Sequence, residues 1–308
     1  MTAPGRLSPA VVLAAAFTGI QVGAAMVATR AVVGELGPAS LALLRYAIGF
    51  LCLVPVLVAT GSSMRVAWRD LLPIAGLGIL QFGVLIALIN IGLAHIPAGR
   101  ASLVFATFPL LTMLVAALLG RERLTAGKSA GVLVTILGVG LALADRLDGA
   151  AGIGWFGEGM VLAAALCGAV CTVLYRPHVA RYGALPVGAV AMLASVAFLA
   201  LPALGEGILG AVPQIGWGGW AAILFIGVGS GSGYVAWLWA LRHGTPTRVT
   251  VFLGLGPVTA TLLGAVLLDE PAGWPALLGL AAVLLGLWLA LREPPAQPRS
   301  RKSTTSAI

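Results

Sequence analysis

The amino-acid sequence predicts an all-α membrane protein of ten transmembrane helices, laid out as two inverted five-helix repeats. Three observations carry that prediction. Sixty per cent of the 308 residues are hydrophobic and 9% are charged, with a mean hydropathy of +1.05. Soluble domains carry about 25% charged residues, so this chain has too little polar surface to face water. At roughly 20 residues per crossing, its length admits about ten helices. The chain also repeats itself: His95, Arg100, Pro109 and Glu122 recur 148 residues later as His243, Arg248, Pro257 and Glu270. The register continues without a gap, Gly131 and Gly138 matching Gly279 and Gly286. Four polar or proline matches at one spacing, inside apolar sequence, mark a tandem duplication.

The first apolar run covers about 9–29 and follows Arg6, the charge pattern of a signal peptide. A signal core is usually about 7–15 residues, and this run is longer, so it reads as an uncleaved first helix. Further runs cover about 39–60, 71–93, 98–119 and 127–145, then 157–175, 185–204, 217–241, 247–268 and 273–291. Each is near the 17–25 residues or so that a crossing needs. The domain plan is a short N-terminal segment at 1–8, a first repeat at 9–146 and a second at 157–292. The polar, proline-rich and basic tail, 293–308, is expected to be disordered.

Lys and Arg orient the bundle. With the N-terminus inside, inner segments hold fourteen basic residues and outer segments three, Arg30, Arg100 and Arg146. Both termini are therefore expected on the cytoplasmic side of the inner membrane. Five spans per repeat, an odd number, turn the second repeat upside down, the arrangement common in secondary transporters. The same topology accounts for the net charge of +8 without nucleic acid, because the basic residues are scattered among loops. Cys52, Cys167 and Cys171 lie in apolar runs with no His, Asp or Glu beside them, and read as packing residues, not metal ligands.

Each half resembles an EamA domain of the drug/metabolite transporter superfamily. In the first half the matching residues are Phe108-Pro109-Leu110, Gly120-Arg121-Glu122-Arg123-Leu124, Gly131 and Gly138. In the second they are Gly256-Pro257-Val258, Leu268-Asp269-Glu270, Gly279 and Gly286, and Leu44-Arg45-Tyr46 resembles the family's Arg-aromatic pair in the second span. The first helix departs from the family, with Gln21-Val22-Gly23 where a Trp is usual. The resemblance covers about 9–292 and implies a ten-helix carrier, often an exporter of amino acids, purines or drugs, with its cavity between the halves.

The residues themselves supply the candidate substrate contacts. Arg45 is the one charge placed well inside the hydrocarbon, and its duplicate position is Leu193. A buried Arg costs at least about 2.5 kcal/mol and marks a ligand or an internal partner, unless it snorkels to the headgroups. Gln21 and Gln81 fall mid-span, where an unsatisfied amide is costly, so each lines a cavity or bonds another helix. The run Gly227-Val-Gly-Ser-Gly-Ser-Gly233 reads as close helix packing or as a loosened segment. Beside it Ser230, Ser232, Tyr234 and Trp237 are candidate cavity residues, as is Tyr46.

Pro109 and Pro257 each remove an intrahelical hydrogen bond and read as paired hinges, not contacts. Glu122 and Glu270, in the turns before the fifth and tenth helices, read as carboxylates at positive helix ends, with proton coupling the rival reading. His95 and His243, in loops, are weaker proton candidates. No carboxylate is assigned to a span, which favours exchange or uniport.

The rival class is a membrane-embedded enzyme, or a structural membrane protein. The glycine-serine run fails the nucleophile-elbow spacing, since Val228 stands two before Ser230, and no base accompanies it. The expectation is thus a non-enzymatic carrier with no cofactor or metal, its partners a small-molecule substrate and the lipid bilayer. Arg45 with the polar aromatics points to a substrate having a carboxylate and an apolar part.

Overall fold

The computed structural model describes residues 8–62, 64–120, 126–142, 155–243, 251–270 and 273–291. Ten membrane-scale helical segments run through them, with no strand among the described residues. The first repeat contributes α1 (Pro9–Val32), α2 (Pro38–Ala59), α3 (Trp68–His95), α4 (Ala98–Leu118) and α5 (Ala126–Ala142). The second contributes α6 (Phe156–Tyr182), α7 (Ala184–Gly205), α8 (Trp217–His243), α9 (Leu255–Leu267) and α10 (Trp274–Leu291). Seven of them, α1–α4 and α6–α8, are apolar over at least 21 residues, enough for a hydrocarbon layer of about 30 Å. Helix is the form that satisfies every backbone group within its own segment where no water can.

Local sequence sets the helix ends. Ser8 accepts from the Val11 amide at 3.4 Å, with Pro9 in the first turn of α1. Pro38 likewise opens α2. Gly183, at φ +82°, separates α6 from α7. α6 reaches Tyr182, beyond the end expected at 175, and takes Pro177 into its interior. Hydropathy ended the run at Arg176. The helix continues because Arg181 and Tyr182 are tethered there by Asp70 of α3.

The prolines do more than bend their helices. α4 is interrupted: Ala98–Phe105 is helical, Ala106 and Thr107 form a turn, and Phe108–Leu118 resumes with Pro109 in its first turn. In the second repeat a 3-10 turn, Val251–Gly254, precedes α9 and Pro257. A proline lacks the N–H that a first turn leaves unpaired anyway, so the break costs little at that position.

Helix packing repeats under an exchange of each helix with the one five places on. α2 packs on α7, α4 on α9 and α5 on α10, each pair mapping onto itself. α1 packs on α8 as α6 does on α3, α2 on α8 as α7 does on α3, and α1 on α9 as α6 does on α4. That is the contact pattern of a twofold axis relating the halves. Their orientation is opposite: Arg100 in the first turns of α4 pairs with Glu158 in the first turn of α6, and Arg30 at the end of α1 reaches the end of α3. α1 therefore ends on the face where its counterpart α6 begins. That face carries the connections after α1, α3, α7 and α9, and is called the first-loop face below. The main core joins both repeats, with Met26, Tyr46, Phe82, Ile86, Val161, Met192 and Ala260 in one buried cluster.

Candidate functional site

The interrupted helices α4 and α9 meet at a crevice on the repeat axis. Its walls include Phe105, Ala106, Phe108 and Pro109 from α4, and Leu253, Gly254, Gly256 and Pro257 from the equivalent stretch of the second repeat. These are four pairs at the 148-residue offset, so the crevice lies where each repeat faces its own duplicate. Val22 and Met26 of α1 close one side, and the cavity left between them is small, about 20 Å³, room for roughly one water in this state. Pro109 lies eleven residues beyond Ala98, and Leu267 ten beyond Pro257. At 1.5 Å per residue both prolines sit about 15 Å from the first-loop face, near the bilayer midplane. Read from sequence as hinges alone, Pro109 and Pro257 also line this space.

A second, more polar constellation shares the main buried cluster, to which Met26 of the crevice and Tyr46 both belong. Arg45, half-buried in α2, donates from Nε to Ser230 Oγ of α8 at 2.7 Å, and Ser230 in turn donates to the Ile226 carbonyl at 2.7 Å. The guanidinium carbon stands 5.6 Å from the centre of the Tyr46 ring, a cation–π contact. Among the described residues no carboxylate pairs with Arg45. Tyr46 packs on Phe82 with ring centroids 4.9 Å apart, and Phe82 meets the Tyr234 ring edge-on at 5.2 Å. Tyr175 of α6 belongs to the same buried cluster, and its hydroxyl has no hydrogen-bond partner among the described residues. Helices from both repeats thus converge on one uncompensated guanidinium bordered by aromatic rings.

Gln21 is buried in α1 beside the glycine run of α8. A Cβ added at Gly229 would lie 2.7 Å from Gln21 Nε2, and one at Gly233 would lie 2.9 Å from Oε1. The intervening glycines face the other way: at Gly231 a Cβ would lie 2.8 Å from the Gly49 carbonyl of α2. Alternate glycines therefore receive α1 and α2, and α8 continues unbroken through them. The run is a packing device. Gln21 Nε2 itself is buried with no hydrogen-bond partner among the described residues.

Other candidates fall outside this grouping. Ser232 is exposed and donates to the Val228 carbonyl of its own helix at 2.8 Å. Trp237 packs with Val11, Ala15 and Ala240, at the opposite end of α1. Gln81 is half-buried beside Phe82 in a single π-helical segment of α3, Ile79–Val84, and makes no hydrogen bond with the described residues. Such π segments recur at functional sites. Glu122 lies outside the described residues.

Glu270 caps a helix, but it is α4 of the other repeat. Its Oε2 accepts from the Ala98 amide at 2.9 Å, and its Oε1 lies 3.6 Å from Arg30 Nε. Arg30 Nη1 also donates to the Leu93 carbonyl at 2.6 Å. One ion pair therefore spans the α3–α4 connection, its cation at a helix C-terminus and its anion at an N-terminus, each matching the helix dipole. Asp269, the left-handed residue at φ +51°, turns the chain so that the Glu270 amide donates back to the Gly264 carbonyl at 3.1 Å.

Sequence reasoning missed two further carboxylates. Glu206, in the α7–α8 connection, accepts from the Ala39 and Ser40 amides at 3.0 and 2.7 Å, and from Ser40 Oγ at 2.7 Å. Glu158 is 5% exposed in the first turn of α6, 3.8 Å from Arg100, so a carboxylate does lie within a span and the expectation that none would is corrected. The first-loop face is thus closed by three carboxylates of the second repeat, set on two arginines and two helix N-termini of the first. On the opposite face Asp70 of the first repeat holds Arg181 at 2.7 Å and also Tyr182, with His178 at 3.8 Å. The two histidines repeat each other: His95 Nδ1 lies 2.8 Å from the Ile91 carbonyl and His243 Nδ1 2.8 Å from the Trp239 carbonyl, both four residues back. Phe82, Phe105 and Tyr175 also escaped notice, since an aromatic in an apolar span looks like ordinary core, and Phe108 was noted only as part of a family motif, not as a site residue.

Known proteins place this geometry in context. Residues 9–144 and 155–292 each match the sequence profile of the EamA-like transporter family. A protein of Archaeoglobus fulgidus named an uncharacterized transporter is 30% identical over 88% of this chain and 95% of its own. A protein of Streptantibioticus cattleyicolor named a probable terminal-alkyne amino-acid exporter is 32% identical over 83% of this chain and 85% of its own. A crystal structure covering 92% of this chain and 97% of its own superposes with a TM-score of 0.69 at 24% identity, a likeness of fold.

Proposed function

We propose that this chain, which belongs to the EamA-like transporter family, is a secondary carrier that exports an amino acid or similar small metabolite by alternating access. The single observation behind the substrate class is Arg45. A guanidinium in an apolar interior, held on one side by Ser230 and lacking a carboxylate partner among the described residues, suits an anionic group from outside the protein. The crevice on the repeat axis, apolar over most of its wall, suits the rest of an amphipathic molecule. The exporter name carried by the Streptantibioticus relative supports both the direction and the class.

The charge bias, fourteen basic residues against three, supports a cytoplasmic-membrane orientation with both termini inside and the first-loop face outside. In this reading the seams built on Glu270, Glu206 and Glu158 form the outer gate, and the Asp70 cluster forms the inner one. Transport needs one seam open at a time. Inverted halves provide two such states of similar energy, because exchanging the halves converts one state into the other.

The test is counterflow in proteoliposomes holding the full-length protein and preloaded with unlabelled amino acids. Saturable exchange of a radiolabelled amino acid is the expected result. Failure of every common amino acid, with exchange of a non-carboxylate metabolite instead, would reject the substrate class and leave the carrier reading standing.

A further inference from the structure

The crevice is asymmetric in a way that its duplication does not require. Where the first repeat has Phe105 and Phe108, the second has Leu253 and Gly256. The two phenyl rings are stacked, with centroids 5.5 Å apart and planes 23° from parallel, forming a stacked aromatic wall. That wall is backed by α6: a Cβ at Gly168 would lie 2.5 Å from Phe108 Cε2, so the ring has no room to retreat. Across the axis the second repeat offers glycine backbone and Pro257. An aromatic wall and a bare backbone lining one crevice make a slot.

Packing does not demand the glycine at 256. A Cβ there would meet the Gly19 carbonyl oxygen at 3.5 Å, the Gly23 nitrogen at 3.8 Å and Val22 Cγ1 at 3.8 Å, ordinary contacts all. At Gly19 and Gly23, by contrast, an added Cβ would collide with the carbonyl oxygens of Phe252 and Gly256. The α1–α9 crossing thus needs glycine at 19 and 23 and not at 256. The space left by the absent side chain at 256 borders Gly19, Gly23 and Val22 of α1, and Val22 is also a wall of the crevice.

We propose that the slot, about 20 Å³ in this state and enlarged when the two halves part, receives the substrate's apolar side chain, and that Phe108 and Gly256 set the width it accepts. Unbranched and planar groups enter, and groups branched at the first side-chain carbon do not. The proposal rests on the amino-acid reading above for its choice of substrate and on the crevice alone for its geometry. A misfit of one methylene in an apolar pocket changes rates by about 10-fold or more.

The experiment compares wild type, Gly256→Ala and Phe108→Leu as full-length protein in proteoliposomes. Radiolabelled 2-aminobutyrate, norvaline, norleucine, phenylalanine, valine and isoleucine are the probes. Wild type should favour the unbranched and aromatic probes over valine and isoleucine by about tenfold. Gly256→Ala should depress norleucine and phenylalanine relative to 2-aminobutyrate by a similar factor, and Phe108→Leu should raise valine and isoleucine. Identical selectivity in all three proteins would overturn the slot while leaving the amino-acid reading intact.

If wild type moves none of these probes, a second readout decides. Val22→Cys, made with Cys52, Cys167 and Cys171 replaced by Ala, is treated with methanethiosulfonates bearing linear or branched tails. Faster reaction of the linear reagent, slowed when Gly256→Ala is added, would uphold the slot and reject only the amino acid. No reaction, or rates indifferent to tail shape and to Gly256→Ala, would overturn it.

Discussion

Gly138 of α5 packs on Gly279 of α10: a Cβ added at Gly138 would stand 2.9 Å from the Gly279 carbonyl oxygen and 2.8 Å from the Val283 nitrogen. The duplicate of Gly138 repeats the contact in reverse, since a Cβ at Gly286 would stand 2.7 Å from the Gly131 carbonyl oxygen. Because 138 corresponds to 286 and 131 to 279 by the repeat offset, these are two equivalent contacts related by the exchange of the halves. Thr135 Oγ1 and Ala282 Cβ also stand in the way, but in each case backbone atoms within 3.0 Å remain as obstacles that cannot swing aside. Gly138→Val and Gly286→Val should therefore destabilise alike, by about 1–3 kcal/mol each. Unfolding in mixed detergent micelles checks this; one variant harmless and the other severe would contradict the symmetry.

Arg45 and Ser230 form the next prediction. Arg45→Ala should abolish saturable exchange. Arg45→Lys keeps the charge but loses the Nε donor, and should raise KM by about tenfold, as hydrogen bonds to charged groups are worth about 1.5–3 kcal/mol. Ser230→Ala leaves the guanidinium in place and should raise KM less than Arg45→Lys does. Kinetics of counterflow check the order, and an Arg45→Ala protein with unaltered KM would remove this residue from the site.

Gln21 should be coupled to Gly233. Gly233→Ala alone drives its methyl onto the Gln21 amide and lowers stability, whereas in a Gln21→Ala background the same change is tolerated. A coupling of about 0.5–3 kcal/mol is expected for such neighbours. Gln21→Leu, which removes an amide whose Nε2 has no hydrogen-bond partner among the described residues, should be close to neutral. A double-mutant cycle on melting in detergent reads all three.

Glu206 caps α2 through two amides and a hydroxyl, so Glu206→Ala should weaken the first-loop seam by about 1 kcal/mol. That corresponds to a factor of about five in the population open on that face. The rate at which a membrane-impermeant thiol reagent reaches Met26→Cys from that side should rise accordingly. An unchanged rate would show that Glu206 caps the helix without holding the gate.

Much of this architecture was legible in the sequence. The 148-residue offset, read from His95, Arg100, Pro109 and Glu122, anticipated the exchange of helix contacts, because duplicated segments keep their packing partners. Arg45 and Ser230 were each singled out, but a bond across 185 residues depends on how α2 and α8 cross, which periodicity does not encode. Glu270 was expected at a positive helix end near its own turn. It caps α4 instead, since Asp269 and the fold deliver it to the other repeat. Glu206 sits in a connection with no capping motif, and the helix it caps is 166 residues away, so no local pattern betrays it. Ser232 was grouped with Ser230 by adjacency, although two residues along a helix turn a side chain to the far face.

The most direct test of alternating access is a disulfide across the first-loop seam. A Cβ at Gly37 would lie 2.9 Å from Glu206 Cβ, so Gly37→Cys with Glu206→Cys needs only about half an ångström of movement to reach bonding geometry. Counterflow is measured on this double variant, with Cys52, Cys167 and Cys171 replaced by Ala, before oxidation, after oxidation and after reduction. The account predicts that exchange falls to background when the bridge forms and returns when it is reduced. Full exchange through a protein shown to be bridged would contradict it.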